Sequence, residues 1–244
     1  MLTLQQSNSS AKQTTLSLRL SAIAESLPES GVICDVGSDH GALPMYLLSN
    51  GKCSSAIVTD LNEKPLERAK ENLRDAGVFE KATFVLTDGI EAVLPMKPDA
   101  FVIAGMGGET IAGILGRGLR QIPNGTKFVL QPMTKADVLR RFLYKTGFCV
   151  QDEKLVYENG KYFLVIQSIY DGVSRSCNEF VCEFGEFLPK MKNDVTRAFF
   201  ASKLTSLSAV IKGKRKAGAS CEDDLKKRDY LLKLLEDMDE NKRD

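Results

Sequence analysis

One short segment contains residues whose types and spacing suit the binding of a charged ligand. The segment Val32–Pro44 reads VICDVGSDHGALP and carries the pattern Asp35-x-Gly37-x-Asp39-x-Gly41. Glycines let a backbone turn sharply and approach a ligand closely. A carboxylate on this turn would repel a pyrophosphate, which G-x-G-x-x-G loops bind through free N–H groups. The pattern therefore favours a cationic ligand, although an ordinary turn with a serine or aspartate capping the next helix remains an alternative.

Acidic residues also follow two later apolar runs. Asp60 comes after Ser54–Thr59, and Asp88 with Gly89 comes after Thr83–Leu86. An acidic residue at the end of the second strand of a nucleotide-binding half-sheet accepts hydrogen bonds from two ribose hydroxyls. An acidic side chain after the third strand can accept a hydrogen bond from an adenine amino group. The alternatives are that Asp60 opens the next helix and that Asp88 is an ordinary turn residue.

Three glycines in four positions follow a fourth apolar run. Ala100–Ala104 is predicted to be a buried strand, Gly105–Gly108 a loop and Glu109–Leu119 a helix. In a doubly wound sheet the carboxyl ends of strands one and four are neighbours. We therefore expect Gly105–Gly108 to face Gly37–Gly41 across the ligand, although a purely structural glycine cluster is also possible.

The periodicity around these segments predicts an α/β domain. Leu16, Leu20, Ile23 and Leu27 form a helical stripe ahead of the first strand. A fifth strand is predicted over Lys127–Gln131 and a helix over Asp137–Thr146. Phe148–Tyr157 and Tyr162–Ile169 flank the turn Glu158-Asn159-Gly160 as a β-hairpin. A mostly parallel sheet whose last strand is antiparallel is typical of Rossmann-like class I methyltransferases.

The C-terminal part has a different, purely helical pattern. Helices are predicted over Asn178–Ile211 and Cys221–Asn241, joined by Lys212–Ser220, and they would form an antiparallel coiled-coil hairpin. The apolar residues expected to face one another are Leu188, Met191, Val195, Phe199, Leu204, Leu207 and Ile211 on one side and Leu225, Leu232, Leu235 and Met238 on the other. We therefore expect a disordered segment over residues 1–15, a cofactor domain over 16–171 and a helical domain over 172–244.

Composition narrows the class of protein. The 244 residues, 43% of them hydrophobic, suffice for one domain and an appendage. Lys and Arg total 33 against 32 Asp and Glu, so any basic contact surface must be local. Six cysteines without a C-x-x-C pair, and one histidine, cannot make a Cys/His zinc site, so we expect no metal and reduced, mostly buried thiols. We found neither a signal peptide nor a long apolar run, and we expect a cytoplasmic protein with no membrane contact.

Three blocks together resemble one family. GSDHGALP at Gly37–Pro44, AGMGG at Ala104–Gly108 and LQP at Leu130–Pro132 are similar to the bacterial TrmK family of tRNA adenine-22 N1-methyltransferases. This resemblance implies an enzyme that uses S-adenosylmethionine to methylate N1 of an adenine in the D-arm region of tRNA, with Asp39 as the catalytic residue. The implied cofactor-binding residues are Gly37, Ser38, Asp39, His40, Asp60, Leu61, Asp88, Gly89, Gly105, Met106 and Gly107. Ala42, Met133 and Phe163-Leu164 depart from the family pattern near the expected substrate side.

The implied chemistry gives Asp39 two possible roles. Adenine N1 has an in-plane lone pair and needs no base before attack, so positioning should dominate the rate. A carboxylate near N1 and N6 would orient the amino group and stabilise the charge that grows on the ring. Asp39 either does this or binds the amino group of the cofactor, and His40 lines the site.

The RNA contacts are expected elsewhere. The target base must leave its stack, so another surface must hold the RNA backbone. Our hypothesis is that Arg19 and the basic cluster Lys212, Lys214, Arg215 and Lys216 contact tRNA, and the alternative is a solvated helix end. A methyltransferase acting on a protein or small molecule, and a nucleotide-sensing domain without catalysis, are the competing functions. We expect a monomer, because the cofactor domain looks complete.

Overall fold

A seven-stranded sheet forms the centre of the fold, in the order β3-β2-β1-β4-β5-β7-β6. The computed structural model describes residues 15–240 apart from the side chain of Ser30. Most of the segment predicted to be disordered, residues 1–14, and the last four residues lie outside that part of the chain. The strands are β1 Ser30–Val36, β2 Cys53–Asp60, β3 Ala82–Leu86, β4 Ala100–Gly107, β5 Lys127–Thr134, β6 Phe148–Glu158 and β7 Lys161–Tyr170.

The direction of one strand decides the fold class. The strands β1 to β5 are parallel, whereas β7 is antiparallel to both of its neighbours, β5 and β6. This confirms the predicted Rossmann-like sheet with an antiparallel strand. It also means that β6 ends at the same edge as β1 to β5, so the turn between β6 and β7 lies at that edge. This edge, which contains the carboxyl ends of β1 to β6, is called the ligand edge below.

Helices cover both faces of the sheet. Their bounds are α1 Leu18–Ser26, α2 Ala42–Ser49, α3 Glu63–Asp75, α4 Gly108–Gly118 and α5 Ala136–Thr146. One core contains apolar residues of α1, α2 and α3, and the other contains those of α4 and α5. Phe101, Phe128 and Phe148 pack through the second core with ring centroids 5.3 Å apart in each successive pair, the first pair stacked and the second edge to face. Strands buried from both sides in this way read as continuous apolar runs, which is why they were detectable in the sequence.

The helical part differs from its prediction. It consists of α6 Glu179–Phe184, α7 Asp194–Lys216 and α8 Glu222–Glu240. The single helix predicted over Asn178–Ile211 is wrong, because Gly185 has a φ of 90° and ends α6, and the Asn193 side chain caps a new helix at Thr196 N. The predicted connection Lys212–Ser220 is also wrong at its start, since α7 runs on to Lys216.

The helices α7 and α8 form the predicted antiparallel pair. Arg197 near the start of α7 binds Asp239 near the end of α8, and Lys214 near the end of α7 binds Asp224 near the start of α8. The apolar faces are partly shifted from the prediction. Leu231 is buried while Leu232 is 41% exposed, and Phe200 is more deeply buried than Phe199.

A buried ion pair attaches the helical part to the sheet. Arg140 of α5 and Glu153 of β6 are 3% and 0% exposed, and Nε lies 2.7 Å from Oε1. The Arg140 guanidinium also donates to the carbonyl of Cys182, and the amide of Phe187 donates to Glu153 Oε2. A buried pair of this kind is stable only when its remaining hydrogen bonds are satisfied. The segment around α6 satisfies them and is held in place in return.

Two thiols depart from the expectation of reduced cysteines. Cys177 and Cys182 are joined by a disulfide, with Cα atoms 6.3 Å apart, whereas Cys34, Cys53, Cys149 and Cys221 are free. The expectation was therefore wrong for this pair. The start of α6 brings the two residues, five positions apart, within the Cα separation that a disulfide needs.

Candidate active site

Two glycine-rich segments meet at the ligand edge. Gly37 has a φ of 73°, and its amide donates to the carbonyl of Thr59 at the end of β2. A Cβ added to Gly37 would lie 2.2 Å from Cε of Met106. The turn after β1 therefore contacts the end of β4 as the spacing of the glycines predicted. The predicted loop Gly105–Gly108 is instead an irregular extension of β4 through Gly107, and Gly108 begins α4.

A buried carboxyl group lies beneath the first turn. Asp35 is almost wholly buried, and its Oδ2 accepts a hydrogen bond of 2.5 Å from the Ser38 hydroxyl. Burial raises the pKa of Asp35 to about 6, against the lowering effects of the Ser38 hydrogen bond and the nearby Arg19. A cationic ligand close to this carboxyl would favour its ionised form.

Asp39 projects from the turn at the point where catalysis was predicted. Its φ is 47°, a left-handed conformation that aspartate tolerates better than most residues. Its side chain is 70% exposed, and Oδ2 lies 3.5 Å from Nε2 of His40. Asn72 of α3 donates to the carbonyl of His40 and so braces the turn. Asp39 therefore faces solvent at the mouth of the site, where a substrate has access to it.

Asp60 and Leu61 occupy the end of β2. The Asp60 carboxylate is nearly buried, and its Oδ1 accepts a hydrogen bond of 2.8 Å from the amide of Asn62. Asn62 is the residue that precedes α3, so Asp60 braces the start of this helix without being its N-cap. Leu61 is 60% exposed, which leaves an apolar surface beside the carboxylate.

Asp88 and Gly89 follow β3, where Asp88 has a partner that sequence reasoning missed. Arg117 of α4 donates through Nη2 to both the carbonyl and the Oδ1 of Asp88, at 2.9 and 3.0 Å. Its Nε also lies 3.3 Å from Glu91. A Cβ on Gly89 would lie within 3 Å of the ends of the Arg117 and Glu91 side chains, which would have to move, and the φ of 114° favours glycine at this position.

Gln131 is the second residue that sequence reasoning missed. Its side chain is fully buried, and Oε1 accepts hydrogen bonds of 3.1 Å from both Arg19 Nη1 and the amide of Gly105. Gln131 thereby connects α1, β4 and β5 at the ligand edge. The LQP block had drawn attention to this position as part of a family pattern, but nothing in its local sequence indicates the two partners.

A cavity of about 370 Å³ lies at the ligand edge, between α1, the turn after β1 and the end of β4. Of the predicted site residues, the cavity is lined by Arg19, Gly37, Ser38, Asp39, His40 and Gly105. Met106 lies beside it against Gly37, whereas Asp60, Leu61, Asp88 and Gly89 follow β2 and β3 farther along the same edge. Lys212, Lys214, Arg215 and Lys216 lie in the last turns of α7 and take no part in the cavity. A larger cavity of about 670 Å³ lies at the opposite edge, near the start of β1, β4 and β5, away from these glycines.

Within residues 15–240, no helix is long and apolar enough to cross a bilayer. The same residues contain no group of three or more histidine, cysteine, aspartate or glutamate side chains arranged to hold a metal ion.

Comparison with known proteins identifies the family. Residues 16–166 match a family model described as a methyltransferase domain. Over 187 residues the chain is 36% identical to the tRNA (adenine(22)-N(1))-methyltransferase of Bacillus subtilis strain 168, covering 74% of this chain and 77% of that protein. The chain belongs to the TrmK family. It is therefore a methyltransferase, as the sequence blocks indicated.

Solved TrmK-family structures have the same fold. The crystal structure of the B. subtilis m1A22 tRNA methyltransferase TrmK has a TM-score of 0.76 at 30% identity, covering 93% of this chain and 98% of that one. Streptococcus pneumoniae Sp1610, a putative tRNA (m1A22) methyltransferase, was solved in complex with S-adenosyl-L-methionine. It has a TM-score of 0.75 at 28% identity, covering 93% of this chain and 99% of that one. Coverage this high includes the helical part of the chain as well as the sheet.

Proposed function

We propose that this protein transfers the methyl group of S-adenosylmethionine to N1 of adenine 22 in the D-arm region of tRNA. The observation that carries the proposal is the position of Asp39, at the mouth of a cavity formed where Gly37 meets the end of β4. The TrmK relatives named above support the cofactor and the substrate. Asp39 would act there as the catalytic residue.

The residues of the cavity fit the cofactor. Gly37 and Gly105 leave its walls without side chains, and the carboxyl groups of Asp35 and Asp39 suit a ligand with a sulfonium and an ammonium group. Asp60 would hold the ribose hydroxyls through Oδ2, since Oδ1 is bound to Asn62. S-adenosylmethionine supplies an electrophilic methyl group on a positively charged sulfur.

The remaining cofactor contacts extend from the cavity along the ligand edge. Leu61 and Met106 would pack on the adenine of the cofactor, and Asp88 would accept a hydrogen bond from its amino group. Ser38 and His40 would add backbone and side-chain contacts, and Gly89 and Gly107 would add backbone contacts.

The protein's part in the reaction is to position the adenine and stabilise charge. The N1 lone pair forms the new bond to carbon while the carbon–sulfur bond breaks, so the positive charge moves onto the adenine ring. The Asp39 carboxylate would accept a hydrogen bond from the N6 amino group and stabilise that charge. The cationic product ring would then become neutral by losing its N6 proton to water, which has access to the site because Asp39 is largely exposed.

The RNA would bind along the helical part. Residues 16–171 are proposed to hold the cofactor, and residues 172–244 are proposed to hold tRNA through the basic cluster at the end of α7. Lys212, Arg215 and Lys216 are exposed there, while Lys214 is paired with Asp224. Arg19 would contact RNA at the cavity mouth. We further propose that the protein works as a monomer in the cytoplasm.

Methyl transfer from labelled S-adenosylmethionine to unmodified tRNA transcripts tests this function. Labelled tRNA in which reverse transcriptase stops at adenine 22 is the expected result, and a transcript with guanine at position 22 should stay unlabelled. Label found only on protein or small molecules, or binding of the cofactor without transfer to any substrate, would overturn the proposal in favour of the competing functions.

A further inference from the structure

An aromatic surface lies beside the proposed active site, on the β6–β7 hairpin. It consists of Tyr157 of β6, Tyr162 of β7 and Phe199 of α7, with Lys203 one turn further along α7. We call these four residues the hairpin platform. Because β7 is antiparallel to its neighbours, the platform lies at the ligand edge, close to where β6 ends.

The rings of the platform support one another. Tyr157 and Tyr162 are cross-strand partners with ring centroids 4.7 Å apart, and Tyr162 makes an edge contact with Phe199 at 5.3 Å. The ammonium of Lys203 lies 5.5 Å from the centroid of the Phe199 ring. Tyr157 itself is 50% exposed. A tyrosine that packs on one ring, which itself packs on a second, and that has half its surface free offers a rigid surface for stacking.

The platform and the cavity lie at the same end of the strands but on opposite faces of the hairpin, because successive residues of a strand point to opposite faces. Glu158, next to Tyr157, accepts a hydrogen bond of 2.8 Å from the amide of Leu18, the first residue of α1. The next residue, Arg19, lines the cavity, and its guanidinium lies 5.9 Å from the ring centroid of Phe163, next to Tyr162. A substrate whose target base enters the cavity would therefore cross the hairpin tip to reach the platform.

The composition of the platform indicates the kind of ligand. Aromatic rings beside cationic side chains are the pattern by which proteins bind unpaired nucleotides, through base stacking and phosphate contacts. A base that is extruded for chemistry leaves its neighbours partly unstacked. This inference rests on the proposed function: we propose that Tyr157 stacks on an unpaired base where the tRNA crosses the hairpin tip towards α7, while Lys203 contacts a nearby phosphate.

Two substitutions at Tyr157 separate stacking from stability. Stacking of a base on an aromatic side chain predicts that Tyr157→Ala raises the KM for tRNA roughly five- to a hundredfold. Tyr157→Phe should stay within about twofold of wild type, and neither change should alter cofactor affinity. Phe79→Ala is a matched control, since Phe79 also has a cation over its ring, Arg74 at 4.2 Å, but precedes β3 at the opposite edge.

Salt dependence separates stacking from charge. Loss of one phosphate contact in Lys203→Gln should reduce the slope of log affinity against log salt by roughly one. Tyr157→Ala should weaken binding at every salt concentration without changing this slope. An unchanged slope in Lys203→Gln would contradict the phosphate contact.

A fluorescent reporter tests the stacking directly. The chain contains no tryptophan, so Tyr157→Trp introduces a single indole. Its emission should be quenched saturably by tRNA but not by heparin, which carries charge without bases. The control protein Phe79→Trp should not respond to tRNA. The stacking proposal is overturned if wild type methylates tRNA but Tyr157→Ala has a normal KM, or if tRNA does not quench the Tyr157→Trp protein. In either case the proposed function stands. If wild type methylates no tRNA, both fall.

Discussion

Met106 places its Cε methyl against the backbone of Gly37, so that two segments some seventy residues apart in the chain are in direct contact. The contact leaves no space for a side chain at position 37 unless the flexible end of the Met106 side chain moves away. It also brings the end of β4 to the turn after β1, which the proposed cofactor must touch on both sides. Two separate features favour glycine at position 37: its positive φ and its contact with the methyl group of Met106. They can be tested separately.

Gly37→Ala should abolish measurable cofactor binding and lower stability. The substituted residue would be strained by its φ of 73° and would also collide with Met106. Gly51→Ala is the matched control, because Gly51 has a φ of 66° but no neighbour within 4 Å of an added Cβ. The control should lose about 1 kcal/mol of unfolding free energy, the cost of left-handed backbone alone. Thermal melts measure the stability of each variant, and calorimetric titration measures its affinity for S-adenosylmethionine. Equal losses of stability and of affinity in the two variants would contradict the contact.

Asp39→Asn should lower kcat for tRNA methylation by roughly a hundred- to a thousandfold, the usual effect of removing one preorganised electrostatic group. Asparagine also tolerates the left-handed backbone, so this variant removes the charge without the strain that Asp39→Ala adds. Affinity for S-adenosylmethionine should stay within about tenfold. If affinity collapses while the fold is intact, Asp39 instead binds the amino group of the cofactor.

The buried carboxyl of Asp35 should make stability depend on pH. Its pKa of about 6 in the folded protein lies above the ordinary value of 3.8. The folded state therefore binds the proton more tightly, and this group's contribution to stability falls as the pH rises from about 4 to 6 and is constant above. The stability of Asp35→Asn relative to wild type should thus increase by roughly 2–2.5 kcal/mol between pH 4 and pH 7. Urea denaturation at each pH measures this difference.

A second variant tests the origin of that shift. Ser38→Ala removes the hydrogen bond that lowers the pKa of Asp35, so the pH-dependent range should move upward. If the difference in unfolding free energy between Asp35→Asn and wild type does not change between pH 4 and pH 7, Asp35 has an ordinary pKa.

Breaking the buried ion pair should loosen the helical part. Arg140→Met leaves Glu153 charged and buried and removes the donor to the carbonyl of Cys182. The expected loss is about 3–5 kcal/mol of unfolding free energy. Hydrogen exchange should show the largest loss of protection around α6. Arg197→Met is the control, since its partner Asp239 is partly exposed and the loss should stay near 1 kcal/mol.

The basic cluster should contribute to RNA binding through its exposed members. Replacing Lys212, Arg215 and Lys216 with glutamine should weaken tRNA binding and flatten its salt dependence without changing cofactor affinity. Lys214→Gln is the matched control, since its ammonium is paired with Asp224, and it should have a smaller effect on RNA. Unchanged tRNA affinity in the triple variant would reject the hypothesis.

Sequence patterns predicted the sheet well because each strand is a local apolar run. The same patterns failed between Asn178 and Ile211, where apolar spacing continues across Gly185 and the cap at Asn193 and conceals the break in the helix. Leu231 and Leu232 are adjacent, so only packing decides which of them is buried.

The unpredicted site contacts have a different cause. Gln131 binds Arg19 across 112 positions of the chain, and Arg117 reaches Asp88 across 29. Contacts over such separations depend on how strands are ordered in the sheet, and single-residue properties do not encode them. The meeting of the two glycine-rich segments at one edge was predictable, because glycine clusters after apolar runs are visible in the local sequence.

The reversed direction of β7 has a consequence for how this enzyme can change. The hairpin it forms with β6 reaches the ligand edge on the far side of β5, apart from the turns after β1, β2 and β3 that are proposed to hold the methyl donor. Insertions or replacements at the tip around Asn159 can therefore reshape which RNA is accepted and leave the donor site intact. Within this scaffold, substrate preference and donor use can diverge independently.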